Sequence, residues 1–223
     1  RKSQKFNVIV VHGVDGWTGR TTDRNGNAPF TGSGTSLRWN PAYWQGVEQK
    51  IEHANDQGLL VLFAAARMAA PFSDWGSGFP MNDATQVKRF ARNLTTRLMG
   101  NFVIYSPVAD DFETSMADES GNELAAASPI HLVTAHPEMS TKIPGVAAGT
   151  YHDKSYTDFA GVQTGHGWLY QPHPASPDQW GTRGTLPLFS ATIASQNAIN
   201  QTLSLFNRTP IKPVINLEAT FDD

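Results

Sequence analysis

The sequence of 223 residues contains no cysteine, and this absence removes several kinds of chemistry from consideration. A disulfide framework, a thiolate metal site and a cysteine nucleophile all need that side chain. Reactive roles must therefore fall to carboxylates, imidazoles, amides and hydroxyls. The absence of cysteine does not decide the cellular compartment.

Long apolar runs and clusters of basic residues are also lacking. No apolar stretch approaches the roughly 18 residues that a membrane-spanning helix needs, so we expect no membrane partner. The formal net charge is −3, and without a basic run the chain lacks the electrostatic signature of a nucleic-acid partner. No glycine-rich phosphate loop of the GxGxxG or GxxxxGK kind follows a predicted strand. We therefore expect no cofactor and no bound metal.

What the chain does contain is enough material for one hydrophobic core. Its length predicts a single domain over residues 1–223, and 6 Trp, 12 Phe and 5 Tyr supply bulky side chains. From Arg1 the chain runs straight into a strand, with no signal peptide before it. We expect it to be a piece of a longer protein.

Short apolar runs rich in β-branched residues alternate with helical periodicity along the whole chain. The predicted strands are 6–12, 58–64, 102–106, 131–136, 158–163 and 212–217. Helices are predicted between Asn40 and Gly58 and at 82–98, 119–127 and 188–206. This repeated β-α order predicts an α/β fold with a parallel sheet and outer helices. It fits a TIM-type (β/α)8 barrel best. Six strands do not close such a barrel, so we expect it to lack its first and last strand units, which leaves two exposed edges.

Two long segments, 13–39 and 65–81, show no periodicity. Connections of that length are uncommon in a compact domain, and those that occur are usually binding loops or disordered segments. The first segment carries aromatic, basic and acidic side chains that favour a binding loop. They are Trp17, Arg20, Asp23, Arg24 and Phe30.

Polar or ionisable side chains follow all six predicted strands. They are His12, Arg67, Asp110 with Asp111, His136, Gln163 with His166, and Glu218. In a parallel barrel these positions meet on one rim, where active sites lie. Each has a plain structural alternative when taken singly: a packed histidine, an aspartate that caps the next helix, or a salt-bridged glutamate. Their convergence favours a functional site.

Two carboxylates on such a rim indicate glycoside hydrolysis, in which one acts as acid/base and the other as nucleophile or base. With one strand missing in front, Asp110 ends the fourth strand and Glu218 the seventh, which face each other across an eight-stranded mouth. Indole rings in the loops offer flat apolar faces for sugars. They are Trp17, Trp75, Trp168 and Trp180.

Four strings of the sequence resemble the apiosidase-like family of (β/α)8-barrel glycoside hydrolases, found among enzymes that degrade plant pectic side chains. The strings are Asn40-Pro-Ala-Tyr-Trp44, His131-Leu-Val-Thr-Ala-His-Pro137, Asp158-Phe-Ala-Gly-Val-Gln-Thr-Gly-His166 and Lys212-Pro-Val-Ile-Asn-Leu-Glu218. The resemblance implies that Asp110 is the acid/base and Glu218 the nucleophile. It further implies that His136 and His166 lie at strand-end positions that line the sugar site. The other residues expected to bind substrate come from the strand ends and loops themselves: His12, Arg67, Asp111, Gln163 and Trp168.

The resemblance also implies an exo-acting, retaining enzyme whose partner is an oligosaccharide or polysaccharide substrate. Two glycines often precede the family's aspartate, whereas Val108 and Ala109 precede Asp110 here, so Asp111 is an alternative acid/base. The family's first-strand motif and its last strand fall outside residues 1–223. Further partners are then the remaining barrel units or another domain of the parent chain. From the substrate class we expect a secreted or periplasmic location.

Two other functions fit the residues less well. A metal-dependent hydrolase would use the histidines and one aspartate, namely His12, His136, His152, Asp153 and His166. The chain has no His-x-His or His-Glu-x-x-His spacing that would support it. A relative that binds carbohydrate without turnover is the other alternative.

Overall fold

A computed structural model describes the chain at residues 3, 5–14, 22–32, 36–65, 84–111, 115–137, 151–163, 199–200 and 202–218. In chain order its elements are β1 (Val8–His12), β2 (Phe30–Thr31), β3 (Arg38–Trp39), α1 (Pro41–Asp56), β4 (Leu60–Ala64), α2 (Ala84–Leu98), β5 (Val103–Ser106), β6 (Ala109–Asp111), α3 (Ser115–Ala127), β7 (His136–Pro137), β8 (Ala160–Gln163) and β9 (Val214–Glu218).

The predicted parallel sheet is confirmed, and its strands follow one another in space as they do along the chain. β1 pairs with β4 and β4 with β5, in parallel throughout. β6 pairs in parallel with β7, and β8 with β9. A parallel bridge between Tyr105 and Val133 joins the first group to the second. The backbone N–H of Asp158 donates to the Val133 carbonyl at 2.8 Å, which continues the sheet towards β8.

The strand predicted at 131–136 is shorter than expected. It consists of the Val133 bridge and the two residues of β7. Side chains replace ladder partners here: the N–H of Val133 donates to Asp158 Oδ2 at 2.7 Å, and that of His136 donates to Ser106 Oγ at 3.0 Å. Buried backbone groups need partners of some kind, and these side chains meet the need without a regular ladder.

Helix α1 begins and ends where the sequence predicts. The side chain of Asn40 accepts a hydrogen bond from the N–H of Ala42 at 3.2 Å, and Pro41 occupies the first helical position. Gly58 follows the last turn with φ of +71°, a conformation that glycine adopts without steric cost.

The other helices are confirmed with shifted bounds. In α2 five apolar residues at helical spacing are buried and form one face: Val87, Phe90, Ala91, Leu94 and Leu98. Helix α3 starts at Ser115, four residues earlier than the prediction of 119. The last predicted helix is helical at 199–200 and 202–206, and its part at 188–198 lies outside the described residues. Within the described ranges no helix is long and apolar enough to cross a membrane.

The sheet buries side chains on both faces. Residues at alternate strand positions point to opposite faces. Val61 and Phe63 of β4 pack against the helices, in a core that includes Trp44 and Leu94. On the other face Leu62, Ile104 and Phe159 form a second cluster, and Leu60 and Leu217 pack against it.

The described parts of segment 13–39 are residues 13–14, 22–32 and 36–39, and they contain two short strands. β2 and β3 form an antiparallel pair, in which Phe30 opposes Trp39. Both rings pack on Trp44, with centroids 6.0 and 4.2 Å away. Asp23 accepts backbone and side-chain hydrogen bonds within its own turn, which lowers the pKa of its carboxyl. Phe30 and Asp23 are therefore packing and turn residues, while positions 15–21 lie outside the described residues.

Candidate active site

The described candidate residues all lie at the carboxyl ends of parallel strands. His12 ends β1, Asp110 and Asp111 end β6, His136 lies in β7, Gln163 ends β8 and Glu218 ends β9. The carboxyl ends of parallel strands share one edge of the sheet, so this edge gathers the predicted site. Three further residues that were predicted to bind substrate lie outside the described residues: Arg67, His166 and Trp168.

The strand order fixes the path from Asp110 to Glu218. β6 pairs with β7, β7 contacts β8, and β8 pairs with β9. Three strand spacings of about 4.8 Å separate the two positions by roughly 14 Å in a flat sheet. Ile104 and Phe159, on either side of the 133–135 segment, belong to one apolar cluster, against which Leu217 of β9 also packs. Side chains along this path therefore meet on one face of the sheet.

Asp110 is the extra residue of a β-bulge. Ala109 is the register partner of His136, and Asp111 is the partner of the very next residue, Pro137. Two steps along β6 therefore match one step along β7. Bulges redirect a strand locally and recur beside active sites. Asp110 and Asp111 lie in β6, and helix α3 begins at Ser115. Capping of α3, the structural alternative for this pair, stays a prediction.

A second bulge precedes Glu218. Val162 is the partner of Asn216, whereas Gln163 is the partner of Glu218, so Leu217 is the extra residue of β9. Without this bulge, position 218 would share the face of Asn216. With it, the backbone register matches position 218 to position 163.

Leu217 is held by close packing across two strands. It packs on the cluster of Leu62, Ile104 and Phe159. Gly161 leaves room for it, since a Cβ on Gly161 would lie 2.6 Å from Leu217 Cδ1. The same Cβ would fall on the carbonyl oxygen of Ala135 and lie 3.2 Å from Thr134 Oγ1. Only glycine fits at position 161 without a steric clash. Its lack of a side chain leaves the space that Leu217, the residue before Glu218, occupies.

Two side chains in the first turn of helix α1 donate hydrogen bonds to the backbone of the segment after β1. Tyr43 Oη donates to the carbonyl oxygen of Gly13 at 2.7 Å, directly after His12. Trp44 Nε1 donates to the Pro29 carbonyl oxygen at 2.8 Å. These two aromatic residues of the Asn-Pro-Ala-Tyr-Trp string thus hold the rim at the end of β1.

Three supporting residues were not predicted from the sequence: Tyr43, Ser106 and Gly161. Tyr43 and Gly161 each stand in one of the four strings quoted above, and no separate role was predicted for either. Ser106 is fully buried, and its hydroxyl donates to the Val108 carbonyl oxygen at 2.5 Å. A hydroxyl at the end of an otherwise apolar strand was the available signal for Ser106.

The candidate metal ligands His152 and Asp153 lie at the opposite end of the sheet. They precede β8, and His152 Nε2 is 2.6 Å from the carbonyl oxygen of Pro210, which precedes β9. Asp153 pairs with Arg208 at 2.9 Å, which lowers the pKa of the aspartate. Among the described residues no three histidine, aspartate or glutamate side chains gather as a metal site.

Lys212 reinforces that opposite end. Its Nζ donates to the carbonyl oxygens of Lys154 and Thr157, at 2.8 and 2.5 Å. Burial lowers the pKa of this lysine, while the charges of Asp158 and Asp153 raise it. Lys212 therefore ties the segments that precede β8 and β9 together.

A comparison with models of protein sequence families matches residues 1–223 to the family described as apiosidase-like, catalytic domain. The chain belongs to the apiosidase-like family. No curated protein sequence matches it.

Solved glycoside hydrolases share the fold of this apiosidase-like chain. One described as a glycoside hydrolase has 21% identity and a TM-score of 0.71, over 99% of this chain and 46% of its own. A family 5 glycoside hydrolase from Bacteroides vulgatus has 18% identity and a TM-score of 0.71, over 100% and 44%. A broad-specificity family 5 endoglucanase from Clostridium acetobutylicum has 9% identity and a TM-score of 0.56, over 96% and 66%.

These likenesses show the fold. The chain has a parallel sheet with flanking helices, consistent with part of a (β/α)8 barrel such as the family 5 enzymes have. It spans about half the length of the first two solved structures that it resembles.

Proposed function

We propose that this apiosidase-like chain is the core of a retaining, exo-acting glycoside hydrolase that cleaves a glycosidic bond in plant cell-wall side chains. The observation that carries the proposal is the position of Asp110 and Glu218. Asp110 lies in β6, one residue before its end, and Glu218 ends β9; both lie towards the carboxyl ends of parallel strands, where the register shifts. The match to the family's catalytic domain supports the same reading.

In the proposed mechanism Glu218 attacks the anomeric carbon while Asp110 protonates the leaving oxygen. The glycosidic C–O bond breaks, and a covalent glycosyl-enzyme forms. Asp110, now a carboxylate, then removes a proton from water, which attacks the anomeric carbon and releases Glu218. Retention requires the two carboxyl groups to be about 5–5.5 Å apart.

Substrate contacts are proposed for the remaining rim positions. Histidine, arginine, glutamine and aspartate donate to or accept from sugar hydroxyls, and an indole face stacks on the ring. The residues proposed for this role are His12, Arg67, Asp111, His136, Gln163, His166 and Trp168.

We further propose that additional strand units complete the barrel beside β1 and β9. Two observations support this. Val8 and Val10 of β1 are 42% and 41% exposed, and Ile215 of β9 is 47% exposed. Among the described residues, each of these strands pairs on one side only, with β4 and β8 respectively. Apolar side chains on adjoining strands would cover them. The proposed substrate, a cell-wall oligosaccharide or polysaccharide, implies a secreted or periplasmic enzyme.

The test is turnover of a panel of aryl glycosides, apiosides included, by the full-length protein. Glu218→Gln should abolish turnover, and Asp110→Asn should reduce it by about 10²–10⁴-fold, the range of general acid–base catalysis. Asp111→Asn is the matched control, and a reversal of the two aspartate effects would assign the acid/base to Asp111. Proton NMR of the first-formed sugar distinguishes retention from inversion. Binding without turnover in calorimetry would instead indicate a carbohydrate-binding relative, and full activity of Glu218→Gln would refute the proposal.

A further inference from the structure

We propose that Ser106 is a positioning residue that holds the bulge carrying Asp110, an inference that rests on the proposed function. Ser106 is the last residue of β5 and is fully buried. Its Oγ donates to the carbonyl oxygen of Val108 at 2.5 Å and accepts from the N–H of His136 at 3.0 Å. One side chain thus joins the backbone just before Asp110 to the strand beside it.

The backbone at this point needs such a bridge. β5 ends at Ser106, β6 begins at Ala109, and the register with β7 shifts at Asp110. Val108 and His136 are both buried, so their carbonyl and N–H groups cannot turn to bulk water. Burying a backbone polar group without a partner costs free energy comparable to a lost hydrogen bond. A serine hydroxyl donates and accepts at once, which is the combination that this carbonyl and this N–H require.

The bridge has a consequence for proton donation. Asp110 follows Val108 by two residues, and His136 is the register partner of Ala109, so one hydroxyl bonds to both sides of the bulge. A displacement of about 1 Å can cost a rate factor of about 10². Glu218 lies on β9, three strand steps away, and its backbone makes no bond to Ser106 in the described part of the chain. Loss of the hydroxyl should therefore impair the acid more than the nucleophile.

The chain offers a matched control in Thr134. This residue is also fully buried in the same sheet, and its hydroxyl donates to the carbonyl oxygen of Phe159 at 2.8 Å. That bond joins the segment before β7 to the start of β8 and does not involve the bulge at Asp110. Thr134→Val and Ser106→Ala each remove one buried hydroxyl, so both should lower the melting temperature of the full-length protein.

The experiment compares kcat/KM on a phenyl glycoside and on a 2,4-dinitrophenyl glycoside of the sugar that the panel identifies. Phenolate leaves slowly unless it is protonated, whereas dinitrophenolate leaves without help. Because general acid catalysis contributes about 10²–10⁴-fold, Ser106→Ala should lose at least about tenfold on the phenyl substrate and about twofold or less on the dinitrophenyl one. Ser106→Thr keeps the hydroxyl and should restore the phenyl rate in large part. Thr134→Val should change both rates by the same factor.

Equal losses on the two substrates in Ser106→Ala would overturn the positioning role while leaving the proposed function intact. Absence of turnover by the unmodified protein on every aryl glycoside would overturn the proposed function itself, and this inference with it. If Ser106→Ala does not fold, Ser106→Cys keeps the side-chain volume with a weak hydrogen bond, and it should show the same substrate dependence in smaller degree.

Discussion

Replacing Gly161 with alanine tests the packing beneath the proposed nucleophile. The new Cβ would fall on the carbonyl oxygen of Ala135 and lie 2.6 Å from Leu217 Cδ1. Leucine can change rotamer, but a strand carbonyl cannot move without moving its neighbours. Overpacking of a core costs about 1–3 kcal/mol, and contact with backbone places this substitution near the upper value.

About 3 kcal/mol, at about 2–4 °C per kcal/mol for a domain of this size, lowers the melting temperature by roughly 6–12 °C. Thermal unfolding followed by circular dichroism measures the change. Activity should fall as well at temperatures where the variant is folded, because Leu217 directly precedes Glu218 and lies in the bulge of β9. Glycosidase rates at 25 °C report this second effect separately from stability.

Two other glycines supply the controls. Gly46, inside α1, has no atom within 4 Å of an added Cβ, so Gly46→Ala should stabilise the protein by about 0.5–1 kcal/mol through helix propensity. Gly121, inside α3, would place its Cβ against the ring of Tyr156, which can shift. Gly121→Ala should lie between the two. A melting temperature of Gly161→Ala equal to that of the unmodified protein would refute the packing argument.

Three further substitutions test other parts of the framework. Asn40→Ala removes the N-cap of α1 and should cost about 1 kcal/mol in chemical denaturation; no loss would show that the cap is not used. Tyr43→Phe removes the hydrogen bond to Gly13 and should lower the free energy of unfolding by about 1 kcal/mol. It should also lower kcat/KM, because the backbone after β1 loses this bond. Unchanged kinetics would show that Tyr43 does not support the site. Asp153→Asn removes the partner of Arg208, whose hydrogen bond lowers the aspartate pKa, so stability from this pair is present above pH 3.8 and is lost as the pH falls through the lowered pKa. The half-exposed pair should contribute at most about 1 kcal/mol at neutral pH, and a stability difference that persisted at pH 2 would contradict this origin.

The order of strands and helices was readable from the sequence because each signal is local. Each of these signals involves residues that are close together in sequence. They are the β-branched runs of the strands, the apolar face of α2 and the Asn40-Pro41 start of α1. The sheet's parallel order followed from the alternation of strands with helices. The strand at 131–136 was less readable, because its backbone bonds go to the side chains of Ser106 and Asp158, which are distant in sequence.

Runs of β-branched residues located most of the strands, and so pointed to the polar groups near their carboxyl ends. They did not reveal β6, the short strand that contains Asp110 and Asp111. The folded structure supplied the two bulges, since a bulge is a mismatch between two strands and has no meaning in one strand alone. It likewise decided that Phe30 packs on the core, that His152 lies away from the rim, and that Gly161 leaves space for Leu217. The physical reason is the same in each case: register, burial and close approach are properties of pairs of segments, which a single stretch of sequence does not contain.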